Sequence, residues 1–196
     1  AAMRPSTALS ADGPLNFFNA VAVAANKDAA GKGVLVVVND WIHGASSLTK
    51  TSTTAVQTFM SPLRGLVGTV AYGEIEFFHG AVGKNTVDSE FSLDGVTSLP
   101  RVDIIMAHEN MDGKMIDAAV AAGAKGIVIA GVGNGNMTKE GLDALAANAK
   151  KGIICVRSSR VVTGRVGRNV EVDDDKLALI ASDDLNPQKA RVLLRL

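Results

Sequence analysis

The sequence predicts an α/β protein in two parts: a first domain built on a parallel sheet over residues 1–80, then a linker at 81–100 and a smaller α/β domain over residues 101–196. Three observations carry that prediction. Val34, Leu35, Val36, Val37 and Val38 form an unbroken apolar run, the pattern of a strand buried on both faces in a parallel sheet. Leu15, Phe18, Val21 and Ala22 recur at helical spacing just before it. Beyond Pro100, short apolar runs alternate with amphipathic segments, the rhythm of βαβ units with right-handed crossovers.

Each element has a local reason. Asp12, Gly13 and Pro14 are turn chemistry that opens the helix at residues 15–26, and Gly31 and Gly33 close that unit before the first strand. A polar, hydroxyl-rich stretch follows at residues 39–54. Residues 66–78 read as a hairpin with Tyr72, Gly73 and Glu74 at its turn. Residues 80–100 are mixed and polar, as a linker would be. Strands are then expected at 102–106, 126–130, 152–156 and 177–181. Helices are expected at 115–122, closed by Gly123, at 139–150, and from Pro187 onward, where proline suits the first helical turn.

Composition excludes several function classes. With 20 Lys and Arg against 20 Asp and Glu, the chain has no net charge, which argues against a nucleic-acid partner or a polybasic membrane surface. Its apolar runs are far shorter than the ~20 residues a bilayer-spanning helix needs. The single cysteine, Cys155, rules out an internal disulfide and any cysteine-based zinc site, and its apolar neighbours place it in a buried strand. No cofactor and no metal site is expected. The hydrophobic fraction of 47% is ample for a sizeable core.

In an open parallel sheet, ligands bind beyond the carboxyl ends of the strands, and three polar segments follow expected strands. In residues 39–54, Lys50 stands among Ser46, Ser47, Thr49, Thr51, Ser52, Thr53 and Thr54. A lysine buried among neutral hydroxyls can serve as a base toward a hydroxyl nucleophile, whereas a solvated loop is the plainer reading. His43 has no motif around it and reads as a surface or supporting histidine. The second segment alternates Gly131, Gly133 and Gly135 with Val132, Asn134 and Asn136. Its G-x-G-x-G spacing is not the G-x-G-x-x-G of a dinucleotide loop. Two readings stand for it: a cradle for a ligand, with Asn134 and Asn136 as donors and acceptors, or a tight strand-to-helix turn. The third segment, Arg157, Ser158, Ser159 and Arg160, precedes the acidic run Glu171, Asp173, Asp174 and Asp175. Carboxylates there would suit an ammonium group or a hard cation, or simply solvent.

In order along nearly the whole chain, these strings resemble the type II bacterial L-asparaginases and glutaminase-asparaginases. The matching strings are Met3-Arg4-Pro5-Ser6-Thr7, Ser10-Ala11-Asp12-Gly13-Pro14-Leu15-Asn16, Val37-Val38-Asn39-Asp40, Leu48-Thr49-Lys50-Thr51 and Thr58-Phe59. They continue with Ala130-Gly131-Val132-Gly133-Asn134-Gly135-Asn136, Val156-Arg157-Ser158-Ser159-Arg160-Val161 and Leu185-Asn186-Pro187-Gln188-Lys189-Ala190-Arg191-Val192-Leu193-Leu194. Many members of that family carry Arg-Asp where this chain has Ser46-Ser47, and Trp41 is unusual beside Asn39-Asp40.

The resemblance implies an asparaginase-like first domain and a flavodoxin-like second one, in a homotetramer whose active sites are shared between subunits. It also implies a periplasmic or secreted amidohydrolase, working through a threonine acyl-enzyme on asparagine and, as often in the family, on glutamine. Lys50 resembles the family's catalytic lysine, while Asn136 and Glu171 resemble substrate-binding residues supplied by the neighbouring subunit, Glu171 toward the substrate ammonium. The family's nucleophilic threonine lies upstream of the match to Ala1, so the chain is expected to be a fragment lacking the first third and the closing tail. The competing expectation is a small-ligand binding module without catalysis, its 131–136 loop cradling a nucleotide or phosphate.

Overall fold

In the computed structural model, which describes residues 1–80 and 83–196, Pro14 lies in the first turn of helix α1 (Gly13–Ala25), where its missing N–H leaves no bond unmade. The inner face of α1 sets Val23 against Val37, Ile42 and Val70, all nearly sealed from solvent. Those three residues belong to β1 (Leu35–Val38), β2 (Trp41–Gly44) and β5 (Gly68–Ala71); with β6 (Glu74–Phe77) they make a sheet of order β1-β2-β5-β6. Between β2 and β5 in sequence, β3 (Thr49–Lys50) and β4 (Phe59–Met60) pair as a separate ribbon.

Every pairing in this first sheet is antiparallel, which corrects the parallel sheet expected for residues 34–38. The reason lies in two residues. Asn39 and Asp40 both adopt left-handed φ, 50° and 62°, and turn the chain back at once, so that Val38 faces Trp41. Asn and Asp tolerate this conformation better than other side-chain-bearing residues, and it suits a two-residue hairpin. Helix α1 fixes the turn: Asn16 Oδ1 accepts from the Asn39 N–H at 2.8 Å, and Asn19 Nδ2 donates to Asp40 Oδ1 at 2.9 Å. The expected hairpin at 66–78 is present, its two-residue turn made by Tyr72 and Gly73 at φ 54° and 82°. Gly68 allows β5 to lie close to β6, since a Cβ there would stand 2.2 Å from the Glu76 carbonyl oxygen.

The alternation after Pro100 folds as read. β7 (Val102–Met106), α2 (Lys114–Ala121), β8 (Gly126–Gly131), α3 (Lys139–Ala149) and β9 (Ile154–Ser159) follow in turn. The short α4 (Asp174–Leu177), β10 (Leu179–Ala181) and α5 (Pro187–Arg195) complete the chain. The four strands are parallel and lie in the order β10-β9-β8-β7. Successive side chains of β8 point to opposite faces. Ile127 and Ile129 join Ile116 of α2 and Leu145 of α3 in one core, while Val128 joins Val102, Val156 and Ala190 of α5 in the other. The result is helices on both faces of a parallel sheet, and a β8 buried along its whole length.

The chain divides into the units Ala1–Ser92 and Leu93–Leu196. Of the expected linker at 81–100, residues 81 and 82 lie outside the described residues; the remainder carries one 3-10 turn, Thr86–Asp88. Among the described residues no helix is long and apolar enough to cross a membrane.

Candidate active site

Lys50 sits on β3, paired with Phe59 of β4. The loop joining the two strands is folded by hydroxyls. The backbone N–H and the Oγ1 of Thr51 both donate to the Thr58 carbonyl at 2.9 Å. Thr58, fully buried, donates its own hydroxyl to the Ser52 carbonyl at 2.6 Å and accepts from the Ser52 N–H at 2.7 Å. Asn39 Nδ2 ties the loop to the β1–β2 turn through the Val56 carbonyl at 2.7 Å. The hydroxyls around Lys50 therefore build the loop instead of burying the ammonium group, which is exposed in this chain. Of the two readings of residues 39–54, the solvated position is the one observed for Lys50.

His43, expected at the surface or in support, is fully buried on β2. Its Nδ1 lies 2.8 Å from Ser61 Oγ, and Ser47 Oγ lies 3.4 Å from the same hydroxyl and 3.1 Å from the Gly44 carbonyl. Nε2 has no hydrogen-bond partner among the described residues. Burial holds the imidazole below its ordinary pKa, so it is neutral in the folded chain at pH 7. Trp41 meets it edge-on at 5.9 Å between ring centroids.

In the second unit, the 131–136 loop turns back on itself. Val132 and Asn136 exchange backbone hydrogen bonds at 2.9 and 2.8 Å, and Gly133 and Gly135 supply left-handed φ of 50° and 80°. A Cβ at Gly131 would fall 2.6 Å from the Gly135 backbone. Gly131 and Gly135 serve close internal packing, and the Val132 and Asn136 N–H groups are engaged within the loop. Asn136 is half-buried at the end of the loop.

The expected polar segment at 157–160 lies largely inside β9, and Arg157 and Ser158 are buried. Arg157 Nε and Nη2 meet Asp174 Oδ1 and Oδ2 at 2.6 and 2.7 Å, with the two side chains 1% and 0% exposed. The same guanidinium donates to the carbonyls of Asn134 (3.1 Å), Gly135 (3.3 Å) and Gly167 (3.3 Å). Asp174 in turn accepts from the Asn169 N–H at 2.8 Å. One buried ion pair thus anchors both the loop that ends in Asn136 and the segment that carries Glu171. Glu171 itself is exposed, beside a shallow depression lined by residues 169–173. Asp175 pairs with Arg168 and Asn169 at the surface, and these two partners hold its carboxyl below the usual carboxylate range. Within the acidic run, then, Asp174 is buried and paired, whereas Glu171 is exposed, with Asn134 Nδ2 at 3.4 Å from its Oε1. Among the described residues no cluster of His, Cys, Asp and Glu is placed to hold a metal ion.

Sequence reading placed Arg157 and Asp174 in different segments and missed their pairing; two charged residues 17 positions apart carry no local signal. Cys155 is buried as expected, its thiol pushed up to about 12 by burial.

A family model described as Asparaginase, N-terminal matches residues 1–83, and one described as Glutaminase/Asparaginase C-terminal domain matches residues 101–196. The chain is 50% identical over 195 residues to a probable periplasmic L-asparaginase of Haemophilus influenzae, covering 100% of this chain and 56% of that one. It is 49% identical over 195 residues to L-asparaginase 2 of Escherichia coli, with the same coverage of 100% and 56%. With a glutaminase-asparaginase of Pseudomonas fluorescens it shares 44% identity over 192 residues, 97% of this chain and 53% of the relative. The chain spans about half the length of the curated relatives it matches.

Proposed function

We propose that this chain, which belongs to the glutaminase/asparaginase family, is part of an amidohydrolase that cleaves the side-chain amide of L-asparagine, with L-glutamine as a second substrate. One observation carries the reading. Both family domains are matched in order along the chain, with Lys50, Asn136 and Glu171 at the positions that resemble the family's catalytic lysine and substrate-binding pair. Residues 1–80 are then the remainder of the N-terminal domain, 81–100 its linker and 101–196 the C-terminal domain.

In this reading a threonine hydroxyl, supplied by the part of the protein that precedes the match to Ala1, attacks the amide carbon to give an acyl-enzyme, and water later releases aspartate or glutamate. Lys50 serves the proton transfer. Its exposure supports that role, because a lysine held out on a short ribbon is open to a hydroxyl brought against it. Glu171 offers an exposed carboxylate to the substrate α-ammonium group, and Asn136 offers an amide that both donates and accepts. Lys50 lies in one unit and Asn136 and Glu171 in the other; following the family resemblance, the proposed site draws Lys50 from one subunit of a homotetramer and the clasp from its neighbour. The relative named as periplasmic supports a periplasmic or secreted location.

The test is ammonia release from asparagine and glutamine by the full-length gene product, with the 196-residue chain in parallel. The full-length protein releases ammonia from asparagine, and the 196 residues alone do not exceed a Lys50→Met control. A full-length protein inactive on both amides would overturn the reading.

A further inference from the structure

We infer that Asn134 is a positioning residue that holds one side of the Glu171 carboxylate and leaves the other for the substrate ammonium group, an inference that rests on the amidohydrolase reading above. The amide of Asn134 has no freedom to flip. Its Oδ1 accepts from the Gly167 N–H at 2.8 Å, and only an oxygen can face that donor. Nδ2 must therefore point the other way, where it stands 3.4 Å from Glu171 Oε1. That is at the long end of hydrogen bonding.

The backbone around this contact is fixed on both sides. Arg157 holds the carbonyls of Asn134 and Gly167, and Asp174 holds the Asn169 N–H. Glu171, by contrast, is exposed, and Asn134 provides its side-chain contact across 37 positions of sequence. A carboxylate on a loop that must meet a cation gains precision from one neutral donor. A neutral amide orients it without cancelling its charge, as a lysine or arginine would. With Oε1 engaged, Oε2 is left to the ligand. Asn134 also stands at the centre of the turn closed by Val132 and Asn136, so its contact with Glu171 links that turn to the segment carrying the proposed ammonium-binding carboxylate.

Four forms of the full-length protein test this: wild type, Asn134→Asp, Glu171→Gln and the double variant, each with kcat and KM for asparagine measured between about pH 5 and 8. Asn134→Asp keeps an oxygen for the Gly167 N–H, so the fold is retained, but it faces Glu171 with a second carboxylate. The expected result is a KM raised about tenfold with kcat changed little, and an acidic limb of kcat/KM moved up by about one pH unit. In the Glu171→Gln background Asn134→Asp moves that limb no further, because no second charge remains to repel. A merely structural asparagine would shift stability without moving the pH profile. An unchanged KM and profile in Asn134→Asp, beside a raised KM in Glu171→Gln, overturns the role of Asn134 alone. An unchanged KM in Glu171→Gln overturns the ammonium-binding role and this inference with it.

Discussion

The two units present their proposed functional residues by different means. In the first, Lys50 projects from a two-residue strand, and the neighbouring hydroxyls are occupied in folding the loop. In the second, Asn136 and Glu171 belong to loops held by a fully buried Arg157–Asp174 pair that joins β9 to α4, and β9 belongs to a sheet covered by helices on both faces. The first sheet has α1 packed against Val37, Ile42 and Val70, while Phe17 and Phe18 of that helix remain 73% and 63% exposed. The difference teaches that the proposed binding residues stand on loops fixed by a buried ion pair of their own unit, whereas the role proposed for Lys50 depends on what is placed against its exposed ammonium group.

The largest expected effect follows from that contrast. Lys50→Met in the full-length protein lowers kcat by about 10²–10⁴-fold, the usual contribution of a positioned proton-transfer group. Its melting temperature stays unchanged, because an exposed side chain supports no core. Near-normal turnover at neutral pH would break the comparison by removing Lys50 from the chemistry.

Next in size is Arg157→Met, which leaves Asp174 buried and unpaired and should destabilise the second unit by about 3–5 kcal/mol. The single tryptophan, Trp41, lies in the first unit, so its fluorescence keeps its urea midpoint while circular dichroism records the loss. Equal loss by both probes would show that the units do not unfold separately. Arg168→Ala, which removes the exposed partner of Asp175, leaves both midpoints in place.

A smaller effect than that of Arg157→Met is pH-dependent and belongs to the first unit. Burial lowers the His43 pKa in the folded chain, so below about pH 6.5 the unfolded state takes up a proton that the folded state refuses. The contribution of neutral His43 is present above that pH and is lost progressively below it. Asp12, whose carboxyl is lowered chiefly by the backbone N–H groups of Arg4 and Met3, loses its contribution only as pH falls through the acidic carboxylate range. Between pH 7.5 and 5 the Trp41 transition should therefore fall by a few degrees in wild type and by less in His43→Gln. An equal fall in both would place the effect elsewhere.

How much of this was legible in the sequence depended on whether the cause was local. The βαβ rhythm of residues 101–196 and the Tyr72–Gly73 hairpin turn follow from short-range pattern and turn chemistry, and both are present. The apolar run at 34–38 gave the strand but not its direction, because the reversal rests on Asn39 and Asp40 held by Asn16 and Asn19, a turn without glycine. His43 read as peripheral because its surroundings, including the Ser61 hydroxyl 18 residues away, are brought together only by the tertiary fold. Lys50 and Asn136 stand inside the ordered family strings and Glu171 in the acidic run between two of them, which is why they were singled out. The Arg157–Asp174 pair that holds the loops of Asn136 and Glu171 is, by contrast, a tertiary contact that no spacing announces.

Subunit exchange tests the central claim most directly, that one active site draws Lys50 from one chain and Glu171 from another. Full-length Lys50→Met and Glu171→Gln proteins are mixed, exchanged under mild denaturation, and assayed for ammonia release at asparagine well below KM, with exchange confirmed by mass. Mixed assemblies hold some sites with Lys50 and Glu171 both intact, and activity above that of either parent is the predicted result. Confirmed exchange with no gain in activity would contradict it and place both residues in a site belonging to a single chain.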